Sequence, residues 1–142
     1  MPKLRHVGIT TSDPDGTSRF YKDSFGMNEV SRGPEGENVV LSDGYFTITL
    51  MKFSADEYGG GRPVLHHLGI QVEDLGQSES KIRDTGATEL TELNQMTDNL
   101  EGTSDNQTEV QKWISTDGIA VDVTSAGWRV RSGGEPGEWP SS

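Results

Sequence analysis

Apolar residues in this chain fall into short alternating runs. From Leu4 to Thr11, Val7 and Ile9 point one way and His6, Gly8 and Thr10 the other. That is the period of a strand with one buried face and one smaller, more polar face. Thr11-Ser12-Asp13-Pro14-Asp15 supplies cap and first-turn chemistry. It predicts a helix from about Thr17 to Phe25, with Phe20, Tyr21 and Phe25 as the apolar stripe and Gly26 as the stop. Strands are predicted over Met27 to Arg32, Asn38 to Leu41 and Tyr45 to Phe53, with a hairpin turn at Ser42-Asp43-Gly44. In the last of these, Phe46, Ile48 and Leu50 share one face, and Tyr45, Thr47, Thr49 and Met51 the other. Ser54 to Pro63, with Gly59-Gly60-Gly61, reads as a polar linker.

The pattern then restarts. Val64 to Val72 alternates as a strand, with Leu68, Ile70 and Val72 opposite His67, Gly69 and Gln71. A helix follows over Asp74 to Thr85, ended by Gly86, and then a strand within Ala87 to Met96. Thr97 to Glu109 is a long polar loop. Strands over Val110 to Ser115 and Ile119 to Thr124 flank the turn Thr116-Asp117-Gly118. Each half therefore reads β-α-β-β-β.

The halves also match residue by residue. His6-Val7-Gly8-Ile9 and His67-Leu68-Gly69-Ile70 lie 61 positions apart, as do Asp13 and Asp74, and Lys22-Asp23-Ser24 and Arg83-Asp84-Thr85. Asp43-Gly44 pairs with Asp117-Gly118 once the long loop is allowed for. Two such units imply pseudo-twofold symmetry, and neither could bury its sheet alone. The expected division is a first module over 1–58, a linker over 59–63, a second module over 64–126 and a tail over 127–142. In the tail, Trp128 is expected against the end of the last strand or a partner, and Trp139 in a loose end.

Composition narrows the partners. The 12 basic residues against 23 acidic ones give a net charge of −11, scattered along the chain. Such a surface repels phosphate backbones and anionic lipid, so neither nucleic acid nor a membrane is an expected partner. Cysteine is absent, which excludes disulfides, thiolate metal sites, iron–sulfur clusters and cysteine nucleophiles and favours a cytoplasmic location. Met1-Pro2-Lys3-Leu4-Arg5 runs straight into a strand and no apolar run has the length of a span. Neither a signal peptide nor a membrane helix is expected.

His6-Val7-Gly8-Ile9, the helix end Phe20-Tyr21-Lys22-Asp23-Ser24-Phe25-Gly26-Met27, His67-Leu68-Gly69-Ile70-Gln71-Val72-Glu73-Asp74, and Asp117-Gly118 followed by Val121-Asp122-Val123 together resemble the vicinal oxygen chelate superfamily. That group includes glyoxalase I, methylmalonyl-CoA epimerase, extradiol dioxygenases, and fosfomycin and bleomycin resistance proteins. The resemblance spans about residues 3 to 126. It implies an α+β fold in which two β-α-β-β-β modules form a cupped mixed sheet with helices outside. It also implies a divalent metal held by the first and last strands of each module, a small-molecule substrate and a homodimer.

Carried over by position, the resemblance places metal ligands at His6, His67 and Asp122, where Glu is more usual than Asp at the last. The fourth position falls on Thr49 or Thr47, and no Asp, Glu, Gln or His occurs from Tyr45 to Phe53. Strand alternation agrees, since all three residues lie on the faces away from the core. Two imidazoles and one carboxylate leave three positions open on a six-coordinate ion, the arrangement of non-haem Fe(II) sites. Fe(II) or Mn(II) is favoured, with Ni(II), Co(II) or Zn(II) as alternatives. The simpler reading makes the histidines cavity lining and Asp122 a hydrogen-bonding residue.

Ligand count favours dioxygenase-like chemistry over a glyoxalase- or epimerase-like lyase or isomerase, which needs a carboxylate base near the metal. A third reading is a non-catalytic cup that binds an antibiotic or other small molecule. Extradiol dioxygenases also use further histidine and tyrosine side chains, for which His66 and Tyr45 are the available residues. His66 is otherwise a strand-edge residue alternating away from His67, and Tyr45 a packing residue. Thr47 and Thr49 are candidate substrate contacts. Trp113 is either core or cavity wall.

Overall fold

The computed structural model describes residues 1–53, 62–90 and 110–138. The chain runs β1 (Lys3–Thr11), α1 (Pro14–Phe25), β2 (Asn28–Arg32), β3 (Asn38–Ser42), β4 (Thr47–Lys52), β5 (Val64–Gln71), α2 (Leu75–Asp84), β6 (Thr88–Glu89), β7 (Val110–Ile114) and β8 (Ala120–Thr124). The two helices start on the same device. Asp13 accepts from the Gly16 amide at 3.1 Å and Asp74 from the Gln77 amide at 3.0 Å, each quenching an amide that the first turn leaves unpaired. Because Asp13 is the cap and Pro14 fits the first position, α1 begins earlier than the apolar pattern predicts. Gly26 ends it in the left-handed conformation, φ 69°.

All eight strands form one mixed sheet, ordered β2-β3-β4-β1-β5-β8-β7-β6. β1 pairs in parallel with β4, β5 pairs in parallel with β8, and β1 and β5 run antiparallel to each other. The two modules therefore close on each other within the chain, first strand against first strand. This is the α+β architecture with pseudo-twofold symmetry that the repeat implies.

Strand alternation sorts the residues of each module onto two faces. The helix side buries Val39, Leu41 and Leu50, with Ile9, Tyr21, Met27 and Ile48 against them. In the second module it buries Val72, Trp113 and Val123, with Ile70, Leu75, Ile82, Ala87 and Val121. Trp113 thus occupies the core and not the cavity wall. The predicted stripe of α1 is only partly right: Tyr21 packs on the core, but Phe20 and Phe25 are 55% and 67% exposed. The buried residues of α1 are Pro14 and Ser18, one turn apart, and Phe20 lies well off their line at about 100° per residue. The predicted strand of residues 87–96 is described only as the two residues of β6. Its remainder, the loop of 97–109, the Gly59–Gly61 linker and Trp139 lie outside the described residues. Among those described, no helix is long and apolar enough to cross a membrane.

The seam between modules carries two bulges. The β1–β5 register steps from Leu4↔Ile70 to His6↔Gly69, and again from Gly8↔His67 to Ile9↔Leu65. Arg5 is the extra residue at the first step and His66 at the second. A bulge kinks its strand and re-aims the side chains around it. Each of these two immediately precedes one of the histidines on the opposite face from the helices.

Candidate functional site

Register assembles the site. Across the helix-free face, Thr47, His6, Gly69, Asp122 and Lys112 stand in one row on five neighbouring strands. The next row holds Thr49, Gly8 and His67. His6, His67 and Asp122 are 0%, 2% and 2% exposed. His6 Nε2 lies 3.2 Å from His67 Nε2, and His67 Nε2 lies 3.4 Å from Asp122 Oδ2. The structure thus brings the three sequence-predicted ligand positions together, from three strands and both modules.

The doubled His-x-Gly-Ile motif has a steric cause. A Cβ on Gly8 would fall 2.2 Å from His67 Cε1, and a Cβ on Gly69 would fall 2.6 Å from His6 Cβ. Each glycine makes room for the histidine of the other module, as the symmetry requires. Gly69 also admits the indole of Trp128, whose Cη2 would lie 2.6 Å from such a Cβ. That ring stacks on His6 with centroids 4.8 Å apart and planes 7° apart. Trp128 is 1% exposed and shuts His6 away from water. Low local polarity strengthens every charge interaction in the cluster.

The outer nitrogens of both rings are held. His6 Nδ1 is 2.8 Å from Thr47 Oγ1, whose hydroxyl donates to the Arg5 carbonyl at 3.4 Å. Thr47 therefore serves His6 as an acceptor, which assigns the His6 proton to Nδ1 and leaves a lone pair on Nε2. His67 Nδ1 is 2.8 Å from His66 Nδ1. Simple alternation would have turned His66 away; the bulge at His66 instead sets the two rings edge to face, 5.1 Å apart. The sequence carries no mark of a bulge, so this contact was not legible there.

Lys112 is a residue the sequence did not single out. Its Nζ lies 3.1 and 3.0 Å from the two Asp122 oxygens. Its side chain is 15% exposed and that of Asp122 3%. Alternation held the clue, since Lys112 and Trp113 must face opposite ways and Trp113 is core. Trp128 left no such clue, because the tail has no period. Tyr45 sits under the Arg5 guanidinium, 4.7 Å from Cζ to the ring centroid, and its carbonyl accepts from Arg5 Nε at 2.9 Å. The fully buried Arg5 also donates to Gln71 Oε1 and to the Glu138 carbonyl, tying the tail to the seam. Thr49 Oγ1 is buried without a hydrogen-bond partner, on the face that carries the histidines. A cleft of about 320 Å3 lined by Met1, Gln71, Val72, Glu73 and Ser125 holds none of these histidines.

In kind the three donors suit a divalent ion, and the two imidazoles are also spaced for one. Two imidazole Nε2 atoms 3.2 Å apart, with the Nδ1 of each ring engaged, match neighbouring ligands at bond lengths of about 2.0–2.1 Å. Their lone pairs cannot face each other without a proton or a cation between them. As the side chains stand, the described residues hold no group of three His, Asp or Glu arranged around an ion, and Lys112 occupies both Asp122 oxygens. A third ligand requires Asp122 to exchange one cation for another.

The model of the Glyoxalase/Bleomycin resistance protein/Dioxygenase superfamily matches residues 3–104. The chain belongs to this superfamily. Solved structures of the same superfamily fold share its architecture. A 2,3-dioxygenase, LapB, from Pseudomonas sp. KL28 has a TM-score of 0.63 at 12% identity, over 92% of this chain and 43% of that one. The methylmalonyl-CoA epimerase of Mycobacterium tuberculosis has a TM-score of 0.59 at 18% identity, over 85% of each chain. A hypothetical protein from Bacillus halodurans C-125 has a TM-score of 0.60 at 16% identity, over 87% and 93%. No curated protein matches by sequence. At these identities the solved structures speak for the fold alone.

Proposed function

We propose that this superfamily member is a divalent-metal-dependent enzyme that binds a small substrate through two oxygens, with dioxygenase-like chemistry. The observation that carries the reading is the contact of His67 Nε2 with His6 Nε2 at 3.2 Å and with Asp122 Oδ2 at 3.4 Å on one buried face. Fe(II) or Mn(II) bound by these residues would supply Lewis acidity to the substrate oxygens and a place for dioxygen. The chain's own residues do the rest. Thr47 and His66 hold the outer nitrogens of the two ligand rings and so fix their orientation. Trp128 excludes water beside His6. The unsatisfied Thr49 hydroxyl donates to a substrate oxygen. An epimerase- or glyoxalase-like reaction is less well supported, because Asp122 is clamped by Lys112 and β4 offers no carboxylate to act as base. A homodimer belongs to the proposal and is read by light scattering.

The test is metal analysis of the purified protein, followed by oxygen uptake by the Fe(II)-loaded protein across a panel of catechols. Metal content near one ion per chain with oxygen consumption is the expected result. A metal-free protein whose melting temperature ignores Fe(II), Mn(II), Ni(II), Co(II) and Zn(II) would sink the proposal. No oxygen uptake, with turnover of a hemithioacetal or an acyl-CoA epimer, would move the protein to the lyase or isomerase class.

A further inference from the structure

Lys112 stands opposite Asp122 in the β7–β8 ladder. Its ammonium reaches both carboxylate oxygens, Oδ1 at 3.1 Å and Oδ2 at 3.0 Å, and so shares Oδ2 with the histidine contact at 3.4 Å. Asp122 is 2% exposed, and a buried carboxylate without a compensating cation is strongly unfavourable. Backbone register makes the pairing part of the fold, since directly opposed residues on neighbouring strands hold their side chains side by side.

We infer that Lys112 is a resident counter-cation that holds Asp122 in the metal-free protein and competes with a divalent ion for it. The inference rests on the metal reading given above and adds a residue that sets the affinity of the site. Removing the ammonium acts twice in the same direction. It frees the Asp122 oxygens from the ammonium, and it removes a positive charge that offsets the buried carboxylate, so a bound cation gains more there. Loss of a residue from the site thus tightens the site, whereas a merely structural lysine would loosen it or leave it unchanged.

Calorimetric titration of Mn(II) and Zn(II) into the parent, Lys112→Met, Lys112→Gln and Lys112→Arg proteins tests this. Met is expected to bind about tenfold tighter or more, and Gln, which keeps a neutral donor to the carboxylate, to lie between Met and the parent. Arg keeps the charge and should bind like the parent. Melting temperature gives a second readout: Met lowers it without metal, and added ion raises it by more than in the parent. Adding Asp122→Asn to Lys112→Met should erase the gain. If Met misfolds without metal, Gln carries the comparison. Parent and both neutral variants binding with equal affinity would overturn the role of Lys112 and leave the metal site standing. No binding by any of the proteins would overturn both.

Discussion

The imidazole of His67 lies on the backbone of Gly8, so close that a Cβ there would sit 2.2 Å from Cε1 and 2.5 Å from Nδ1. At the reciprocal glycine, Gly69, a Cβ would instead meet the His6 Cβ and the Trp128 indole. Gly8 is in an ordinary strand, so its requirement is for space and not for an unusual dihedral. Gly8→Ala is therefore expected to push the His67 ring off its seat. The overpacking should cost about 1–3 kcal/mol of stability and abolish any stabilisation by added Mn(II) or Zn(II). Urea melts with and without the ion check both effects. A Gly8→Ala protein that keeps its metal response would show that the ring has another place to go.

His66 holds His67 from the far side, Nδ1 to Nδ1 at 2.8 Å. Such partners of ligating histidines typically contribute about 10–100-fold in metal affinity. His66→Ala should weaken Zn(II) binding by about that factor, and His66→Gln, whose amide oxygen can accept from His67 Nδ1–H, should recover part of it. Equal affinities in all three proteins would reduce His66 to a spectator of the bulge.

His6, His67 and Asp122 were legible because a strand has a period of two and the repeat supplies the phase twice. Faces follow from alternation wherever the ladder is regular. The same logic would have placed Lys112 on the site face, since Trp113 beside it is core. The His66–His67 contact escaped because a bulge shifts the phase by one residue and leaves no mark in the residue types. The stripe of α1 failed for a related reason. Phe20 lies about 160° round the helix from the buried Ser18, and Phe25 is the last residue of α1. Trp128 follows the last strand in a segment without period, held by side-chain contacts from distant parts of the chain. Arg5 is one such tether, donating to the Glu138 carbonyl at 2.9 Å.

Away from the site, Glu29 on β2 joins α1 through Lys22 Nζ at 2.9 Å and its own strand through Arg32 Nη2 at 2.8 Å. The hydrogen bond from Arg32, and then that from Lys22, hold its carboxyl at about 2, below the ordinary 4.5. A carboxylate with a lowered folded-state pKa stabilises the fold above its unfolded value and loses that contribution as pH falls toward the folded one. These side chains are about one-third exposed, so screening keeps the effect to about 1 kcal/mol or less. Glu29→Gln should be less stable than the parent at pH 7, and the gap should close between about pH 4.5 and 2. Denaturant melts across that range measure it. A gap independent of pH would mean the substitution acts through packing.

Trp128 gives the site an optical reporter. Its indole is parallel to His6 within 7° at 4.8 Å, while Trp113 lies in the core on the helix side of the sheet. A cation drawn to His6 changes the electrostatic field at Trp128 far more than at Trp113. Mn(II) or Zn(II) should therefore shift or quench tryptophan emission, and Trp128→Phe should remove most of that response while calorimetry still detects binding. Trp128→Ala is a harsher change. It empties the space over His6 and Gly69 and should cost about 3–5 kcal/mol, so the phenylalanine variant is the informative one. An undiminished emission response in Trp128→Phe would place the ion away from His6, and with it the two-histidine site.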